Sequence, residues 1–587
     1  MRLAIFVAAL GFASAGFGQT DRGTITGAVS DPAGAVVAAA SIEARNVETG
    51  QVYSVASTET GNYTVAQLPA GNYELSVNVQ GFKRYNRQGL TLAAAQILRV
   101  DVNLEIGSAA DSITVVESAS LLKTESGELA TNVTVGQLNN LPILGIGETT
   151  ASAAGVRNPW ALSVLVPGIQ YAINGGVPSI NVNGAQNNTA SYRVEGMESG
   201  NNGTLAVFTM EVQPSAEAIQ EVAVQTSNFA AEFGQVGGGL FNATMKSGTN
   251  QFHGSLYDYN VNEAYNAAQP YTGLRNRARR NDYGGSLGGP VWIPKLYNGK
   301  NRTFFFWNFE QYRETQVVST TTVTVPIPDY RAGDFSKVLT GSGNQLVKVG
   351  GANYVDPLGR TIVSGQIFDP LSQRPVPVNG QSVLVRDPFS SNMISPTRFD
   401  RVAVNIQNLI PLPTGPHATD QIGNNYNAPQ RSARTTEIPS LKIDQLIGKG
   451  RLSGYWSSTT TANQYPIVGS PATPEGFPNP ITTAIGNFDN SFVVRVNYDH
   501  PITPTLLGHI GLGYQKNLLW DDTATTNYNA EQAIGLKGAT INRNFPTVLI
   551  SSATLGLPNT ATGGMSNMGP LFQTHVSPNT TLAGGGP

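Results

Sequence analysis

The first residues that could do chemistry are a glycine triplet and a Lys-Ser pair in the segment GGGLFNATMKSGTN, residues 237–250. A phosphate-binding loop needs the spacing G-x-x-x-x-G-K-[ST], in which backbone N–H groups surround the phosphates. Met245 stands where the second glycine belongs, and Leu240 replaces the first. We therefore expect a backbone junction, in which close-packing glycines precede a strand over 240–246 and a turn follows it: Gly237, Gly238, Gly239, then Ser247, Gly248, Thr249, Asn250.

Other spacings give little support for catalysis. Residues 284–288 (GGSLG) match the nucleophile elbow G-x-S-x-G, but Ser286 runs on into strand-like residues and does not open a helix. The five histidines are scattered, without the H-E-x-x-H or i, i+4 spacing that binds zinc. The sequence therefore predicts no catalytic residue, no metal site, no cofactor and no enzyme activity.

The composition indicates a mainly β protein that does not bind nucleic acid. Charged residues make up 13% of the chain, against roughly 25% in soluble globular proteins, and 64 glycines and 35 prolines favour turns. A net charge of -3 provides no basic field to hold nucleic acid by counterion release. Cysteine is absent from the sequence, which excludes disulfides and cysteine-bound zinc.

The N-terminus predicts export. Arg2 precedes the apolar run LAIFVAALGF, and small residues then offer cleavage points up to Gly18, as in a secretory signal peptide. No later run of about 18 apolar residues could form a transmembrane helix. If the exported chain enters a membrane, it must therefore do so as a β-barrel.

Residues 19–106 predict a β-sandwich. Tyr73, Leu75, Val77 and Val79 alternate with polar residues, and turn signals recur between short strands. The motifs G-x-V-x-D-P-x-G, T-G-N-Y and L-P-A-G-N-Y in this segment resemble those of the carboxypeptidase regulatory-like domain. This resemblance implies a transthyretin-like fold, which some carbohydrate-binding modules share, but no peptidase activity.

Residues after 251 predict strands of an outer-membrane barrel. In the segment SFVVRVNYDH, Phe492, Val494, Val496 and Tyr498 form an apolar face, and the alternate residues form a polar one. The segment TFFFWNFEQY, residues 303–312, adds an aromatic belt, and a loop of about 327–435 is long enough for an outer loop. A pair of strands from a soluble sandwich is the alternative.

An ordered run of motifs connects these parts. It comprises DSITV at 111–115, QLNNLP at 137–142, LVPG at 165–168, NVNGAQ at 181–186, RVEGM at 193–197, the segment 214–259, NDYGGSLGGP at 281–290 and TFFFWNFEQYR at 303–313. The run resembles the plug and first barrel strands of Oar-like TonB-dependent outer-membrane receptors. Glu195-Gly196 departs from the Asp-Gly usual in that family, with its charge conserved.

The resemblance implies a contact strand for the periplasmic energy-coupling protein TonB. A short β-branched segment, the TonB box, pairs with TonB as an added strand in this family, and the residues that fit it are Asp111, Ser112, Ile113, Thr114 and Val115. The same five residues could equally be a terminal strand of the sandwich or the plug. Both interpretations stay open at this point.

Taken together, the N-terminal residues and the resemblance predict a signal peptide over 1–18, the β-sandwich over 19–106, an α+β plug over 107–250 and part of a barrel over 251–587. The implied function is uptake or sensing of an extracellular ligand, such as a glycan, peptide or chelate, with TonB and outer-membrane lipid as partners. A secreted or surface adhesin or carbohydrate-binding protein is the alternative. Only about eight strands are credible, against 22 in such receptors, so we expect a truncated or split form.

Overall fold

The structure is a computed structural model, and it describes the chain in ranges. These are 22–108, 111–116, 127, 129–141, 157, 165–174, 177–186, 189–199, 213–229, 233, 236–268, 275, 277–341, 344–414, 425–464, 477–478, 480–482, 485–503, 506–516, 518–523, 528–538, 545–546, 548 and 568. The predicted signal peptide lies outside the described residues. So do Pro142 of QLNNLP and parts of the segment 214–259.

Two sheets form the N-terminal sandwich. One has the order β4-β1-β7 with β8 beside β1, and the other has the order β3-β2-β5-β6-β9. Their strands are β1 (Gly23–Ser30), β2 (Ser41–Asn46), β3 (Val52–Ala56), β4 (Asn62–Leu68), β5 (Gly71–Asn78), β6 (Arg84–Leu92), β7 (Ile97–Arg99), β8 (Val102–Asn103) and β9 (Ser112–Val116). Tyr73, Leu75 and Val77 are fully buried between the sheets, as their alternation predicts.

The segment predicted as the plug, which keeps that name here, contains a five-stranded sheet in the order β10-β15-β16-β13-β14. The plug elements are β10 (Leu129–Thr134), α1 (Val135–Asn140), β11 (Ile169–Asn174), β12 (Val177–Val182), β13 (Ser191–Val194), β14 (Met197–Glu198), β15 (Ile219–Ser227) and β16 (Leu240–Met245). A 3₁₀ turn over Ala216–Ala218 precedes β15, and the Ser215 hydroxyl caps it by accepting from Glu217 N–H at 3.2 Å.

The third part is an eight-stranded antiparallel sheet, here called the wall. Its order is β17-β18-β21-β26-β27-β28-β29, with β30 also paired to β28. The strands are β17 (His253–Asn262), β18 (Arg277–Pro290), β21 (Thr303–Val323), β26 (Tyr426–Ile447), β27 (Gly450–Gln464), β28 (Ile485–Thr503), β29 (Leu506–Lys516) and β30 (Leu519–Thr523). Within the described ranges the wall is an open sheet, because β17 and β29 do not pair.

The wall has two distinct ends. The end that carries the short connections 291–302 and 448–449 is called the lower end, and it adjoins the plug and the sandwich. A small hairpin of β19 (Trp292–Ile293) and β20 (Tyr297–Asn298) lies in the first of these connections. The opposite, upper end carries the long connections, including 324–425.

The upper connections contain small elements of their own. These are α2 (Pro328–Arg331), α3 (Ser336–Gly341), β22 (Lys348–Val349), β23 (Ala352–Asn353), β24 (Arg374–Val378), β25 (Gln381–Val385), α4 (Arg401–Leu409) and α5 (Ala530–Ile534). Side chains from three upper connections and the first residue of β26 pack into one buried cluster, here called the upper cluster: Val325, Ile410, Tyr426, Phe477, Ile481, Ala530, Ile534, Phe545 and Met568. No helix within the described residues is long and apolar enough to cross a membrane.

The side chains of the wall strands alternate between the two faces of the sheet as the sequence predicts, with one correction. In β28, Val493, Asn497 and Asp499 are buried toward the plug, while Val496 on the other face is exposed. The predicted aromatic belt of β21 is wrong for half of its residues: Phe304 and Phe306 are buried, whereas Trp307 is 45% exposed. The reason is that a strand sends successive side chains to opposite faces, so a run of aromatics cannot lie on one face.

Candidate functional site

The candidate site is the junction at which the sandwich, the plug and the wall meet, at the lower end of the wall. Gly248 lies against the backbone of two wall strands: a Cβ atom there would stand 2.3 Å from Phe305 O and 2.6 Å from Gly289 O. Only glycine allows the chain to leave the plug this close to the wall. The segment Ser247–Asn250, predicted as a turn, lies in the connection between β16 and β17.

Asn250 links all three parts of the junction. Its backbone N–H donates to Glu48 O of the sandwich at 3.2 Å, and its side-chain amide donates to Thr49 O at 3.0 Å. The same side chain exchanges two hydrogen bonds of 2.7 Å with Asn301, which lies in the lower connection 291–302 of the wall. One residue of the linker therefore holds the sandwich and the wall together.

The glycine triplet lies at the start of β16. The N–H groups of Gly237 and Gly238 both donate to Thr189 O at 2.9 Å. A Cβ on Gly238 would stand 2.7 Å from Thr189 Oγ1, and one on Gly239 would stand 3.0 Å from Val182 Cγ2. The triplet thus packs against neighbouring plug segments and opens a strand, with no helix N-terminus that could receive a phosphate.

A buried ion pair connects the plug to the wall. Lys442 Nζ of β26 lies 2.7 Å from Glu195 Oε1, and the two side chains are 3% and 1% exposed. Glu195 also accepts from Met245 N–H at 2.8 Å, and Lys442 also donates to Met245 O at 3.0 Å. Glu195 has φ +53°, so the Glu-Gly turn between β13 and β14 places the carboxylate at the end of β16.

A cavity of about 50 Å³ lies at the junction, and charged groups surround it. Residues of all three parts line the cavity, among them Arg22, Tyr53, Thr244, Ser247, Lys442 and Arg451. Asp444 of β26 pairs with Arg451 of β27 at 2.9 Å, and Asp499 lies 3.8 Å from Arg22 of the sandwich. Burial raises the pKa of the Tyr53 hydroxyl. Pairs of opposite charge thus join wall strands β26 and β27 to each other and the wall to the sandwich at this junction.

A second set of plug contacts lies farther up the wall. The guanidinium carbon of Arg157 stands 4.7 Å and 4.4 Å from the ring centres of Tyr257 and Tyr259 in β17. Arg157 also lies 3.8 Å from Asp282 of β18. Ser215 at the start of the 3₁₀ turn donates to Glu310 of β21. Polar contacts thus connect the plug to the first three wall strands.

The predicted contact strand lies away from these groups, on the sandwich. Residues Ser112 to Val116 form β9, which pairs in parallel with β6 from Arg84 to Gln88. Asp111 precedes the strand, and its carbonyl accepts from Arg84 N–H at 2.9 Å. The segment is therefore a terminal strand of the sandwich sheet in this conformation. Its predicted role as the TonB contact stays a prediction.

Sequence reasoning missed the ion pairs of the junction. Glu195 and Lys442 are separated by 247 positions. The one available signal was an alternation in which Lys442 and Asp444 fall on the polar face of β26. Ser286 lies inside β18, opposite Ser255, which agrees with the rejection of the nucleophile elbow. No group of His, Cys, Asp or Glu among the described residues could hold a metal ion.

Comparison with known proteins identifies the wall. The family model described as outer membrane beta barrel domain matches residues 244–582, more than half of the chain. The chain belongs to this outer-membrane β-barrel family. It is accordingly a protein of the outer membrane, and the apolar outer face of its barrel wall is the face toward lipid. The model for the carboxypeptidase regulatory-like domain matches residues 24–105, the sandwich.

Individual relatives of this outer-membrane β-barrel protein agree with the sequence-based resemblance to Oar-like receptors. The TonB-dependent transporter Oar of Myxococcus xanthus is 27% identical over 329 residues, which are 54% of this chain and 29% of Oar. The chain thus spans less than a third of that relative. Two solved structures, the outer membrane transporter YddB from Escherichia coli and the ferric yersiniabactin uptake receptor FyuA from Yersinia pestis, are 11% and 10% identical with TM-scores of 0.30 and 0.28. The matched region covers 67% of this chain and 48% of the YddB chain, and 68% of this chain and 50% of the FyuA chain.

Proposed function

We propose that the protein is a TonB-dependent receptor or transporter that takes up or senses an extracellular ligand and catalyses no reaction. In this proposal the lower end of the wall faces the periplasm, where the sandwich lies and where TonB makes its contact. The upper end faces the outside. The similarity to the TonB-dependent transporter Oar supports the class of function.

The observation that carries the proposal is the set of buried polar contacts between plug and wall, which surround a smaller apolar contact of Phe306, Tyr455 and Val493 with the plug core. The inner face of the wall buries charged and hydroxyl groups next to the plug, including Glu310, Lys442, Asp444, Ser457, Thr459 and Asn497. An apolar interface would resist separation, because moving it would expose core surface to water. The polar groups of such an interface can exchange their hydrogen bonds to protein for hydrogen bonds to water, so the plug can shift without unfolding.

The upper connections supply a surface for the ligand. The upper cluster joins three connections into one packed layer, which fixes their relative positions. Loops held by a rigid scaffold are the usual carriers of binding residues. A glycan, a peptide or a chelate are the ligand classes that we consider, and the outer leaflet lipid contacts the wall below this layer.

The test uses the absence of cysteine from the sequence. Thr244 in β16 is 6% exposed and lines the junction cavity, so Thr244→Cys places a single thiol where only a moving plug would expose it. Cells that carry this variant are treated with a membrane-impermeant maleimide admitted to the periplasm. We expect labelling in energised cells with TonB, and little labelling after tonB deletion or addition of a protonophore.

The matched control is Glu59→Cys, an exposed position on the sandwich that should label equally under all conditions. A surface adhesin or carbohydrate-binding protein without transport would give the same Thr244→Cys labelling with and without TonB. That result would reject the proposed function in favour of the adhesin.

A further inference from the structure

The lower end of the wall exposes basic and apolar side chains together. We propose that this end binds the anionic headgroups of phospholipids in the periplasmic leaflet of the outer membrane, and that the β19-β20 hairpin lies among those headgroups. The surface, here called the lower rim, comprises residues 247–252, 291–302 and 448–449. The choice of leaflet rests on the orientation given in the proposed function, whereas the affinity for anionic phospholipid does not.

The exposed charge of the lower rim is positive. Lys295, Lys300, Arg302 and Lys449 are all exposed. The three segments of the rim contain no Asp or Glu, although the whole chain has a net charge of -3. Each basic residue close to a bilayer attracts anionic lipid, and the attraction falls off within a Debye length of the surface. Four such residues in one rim therefore match an anionic lipid surface.

Two carboxylates at the lower ends of wall strands do not offset this charge. Asp444 of β26 and Asp499 of β28 are buried, and they pair with Arg451 and Arg22. Their negative charge is thus compensated inside the junction and is not presented to solvent. The lower rim keeps its positive surface.

The hairpin of the lower rim continues the wall downward. Val291 N–H donates to Thr303 O, and Gly299 N–H donates to Val291 O, both at 2.8 Å. The ladder between β18 and β21 therefore runs on into β19 and β20. Trp292 and Leu296 of the hairpin are 59% and 79% exposed. Exposed apolar side chains thus extend below the paired residues of the wall.

A pair of aromatic rings marks the lower edge of the lipid face, next to the hairpin. The ring centres of Phe252 and Phe305 lie 6.4 Å apart. Phe305 alternates with the buried Phe304 and Phe306, so it lies on the outer face of the wall, which faces lipid. Aromatic side chains of outer-membrane barrels concentrate where the hydrocarbon meets the headgroups. The hairpin continues below this pair and is therefore at the level of the headgroups.

The tip of the hairpin carries a lysine in a conformation that favours glycine. Leu296 N–H donates to Ile293 O at 3.0 Å, so Pro294 and Lys295 are the central residues of a β-turn. Lys295 has φ +62°. A turn with proline first and a positive φ second is of type II, in which glycine or asparagine is preferred at the second position. The lysine does not serve the turn, which supports a role for its charge outside the chain.

A phospholipid surface accounts for both the charge and the apolar side chains of the lower rim. Tryptophan and tyrosine are enriched at the interface of a membrane with water, where lysine side chains reach the headgroups. The lower rim is also continuous with the lipid face of the wall. An acidic protein partner would match the charge of the rim but not this continuity.

Quenching by a labelled lipid tests the proposal. Because the sequence has no cysteine, Leu296→Cys gives a single thiol for a fluorophore on the hairpin. The full-length protein in dodecyl maltoside micelles is titrated with phosphatidylglycerol that carries a nitroxide next to its glycerol backbone, or with phosphatidylcholine that carries the same nitroxide. Leu371→Cys, at a residue that is 83% exposed in an upper connection, is the matched control position.

We expect half-quenching at Leu296→Cys to need about tenfold less phosphatidylglycerol than phosphatidylcholine, and this preference should disappear at high salt. The fluorophore at Leu371→Cys should show no preference. Equal quenching by both lipids at Leu296→Cys would overturn the proposal and favour an acidic protein as the occupant of the lower rim. The titration contains no TonB, so that result would leave the labelling test of the proposed function unaffected.

Lipopolysaccharide separates the two leaflets, because it lies in the outer one. Unlabelled phosphatidylglycerol should displace the labelled phosphatidylglycerol from the lower rim more readily than lipopolysaccharide does. The reverse order would overturn the assignment to the periplasmic leaflet.

Charge variants in the Leu296→Cys background test whether the basic residues cause the preference. Lys295→Gly with Lys300→Gln and Arg302→Gln should abolish it. The matched control removes the same kinds of charge from exposed positions of the upper connections and should keep it: Lys348→Gln, Arg401→Gln and Lys537→Gln. Lys295→Gly alone should weaken the preference severalfold without lowering the melting temperature, because glycine suits the turn. A preference that persists in the folded triple variant of the lower rim would overturn the proposal.

Discussion

At the scale of single residues, the ion pair of Glu195 and Lys442 is the most consequential contact between plug and wall. Both groups are buried, so neither charge can be left alone without a large desolvation cost. We predict that Lys442→Met destabilises the plug by about 3–5 kcal/mol, because the Glu195 carboxylate would lose its charged partner. Urea unfolding of the plug in micelles, followed by trypsin cleavage, measures the change.

The double variant Glu195→Gln with Lys442→Met serves as the control for this prediction. With both charges removed, the side-chain amide introduced at position 195 could still accept from Met245 N–H, so most of the lost stability should return. A double variant as unstable as Lys442→Met alone would contradict the assignment of the effect to an unpaired buried charge.

The Asp387 carboxylate in the upper connection gives a prediction about pH. Hydrogen bonds from Arg374 and then Arg360 lower its pKa from 3.8 to about 2. A carboxylate with a depressed pKa stabilises the folded state above its unfolded pKa, and this stabilisation is lost as the pH falls through the folded value. Pepsin cleavage of the connection should therefore accelerate between about pH 4 and pH 2.

Asp387→Asn is the control for the pH prediction, since it cannot titrate. Its cleavage should be faster than that of the unchanged protein at pH 4, and the difference between the two should shrink toward pH 2. If the pH dependence of cleavage is identical in both proteins, groups other than Asp387 cause the acid sensitivity. Asp356 and Asp369 are such groups, because hydrogen bonds from arginine lower their pKa values as well.

At the scale of elements, the turn between β16 and β17 depends on Gly248. A methyl group there would meet two backbone carbonyls, Phe305 O and Gly289 O, which cannot move without shifting wall strands. We predict that Gly248→Ala costs about 1–3 kcal/mol, as overpacking does in other cores. Gly454→Ala in β27 is the matched control, because no atom lies within 4 Å of its added methyl group. Thermal unfolding in micelles compares them, and equal melting temperatures would contradict the close approach.

Alternation predicted the wall strands, whereas the plug strand predicted over 240–246, observed as Leu240–Met245, was placed by its flanking glycines and turn residues, for a physical reason. A wall strand such as β28 faces lipid on one side and the plug on the other, so apolar and polar residues alternate. The plug strand β16 is buried on both faces along its whole length, and β15 nearly so. Such strands have no polar face, and their boundaries cannot be read from a period of two.

At the scale of the whole molecule, the sequence predicted a junction over residues 237–250 but could not predict its contacts. Glycine and turn residues carry that prediction, since they report the local backbone. The ion pair of Glu195 and Lys442 depends on the register of strands far apart in the chain. The position of DSITV was also open, because an extended β-branched segment can pair with any strand edge that lies close to it.

The docking of the sandwich yields the last prediction. Asn250→Ala removes three side-chain hydrogen bonds that join Thr49 of the sandwich and Asn301 of the wall, each worth about 0.5–1.5 kcal/mol. We expect limited proteolysis to release the sandwich several times faster from this variant, while the wall stays folded. Asn62→Ala is the matched control, because the side chain of Asn62 bonds to Thr60 within the sandwich. Equal release from both variants would mean that Arg22 and its partner Asp499, together with the rest of the junction, hold the sandwich without Asn250.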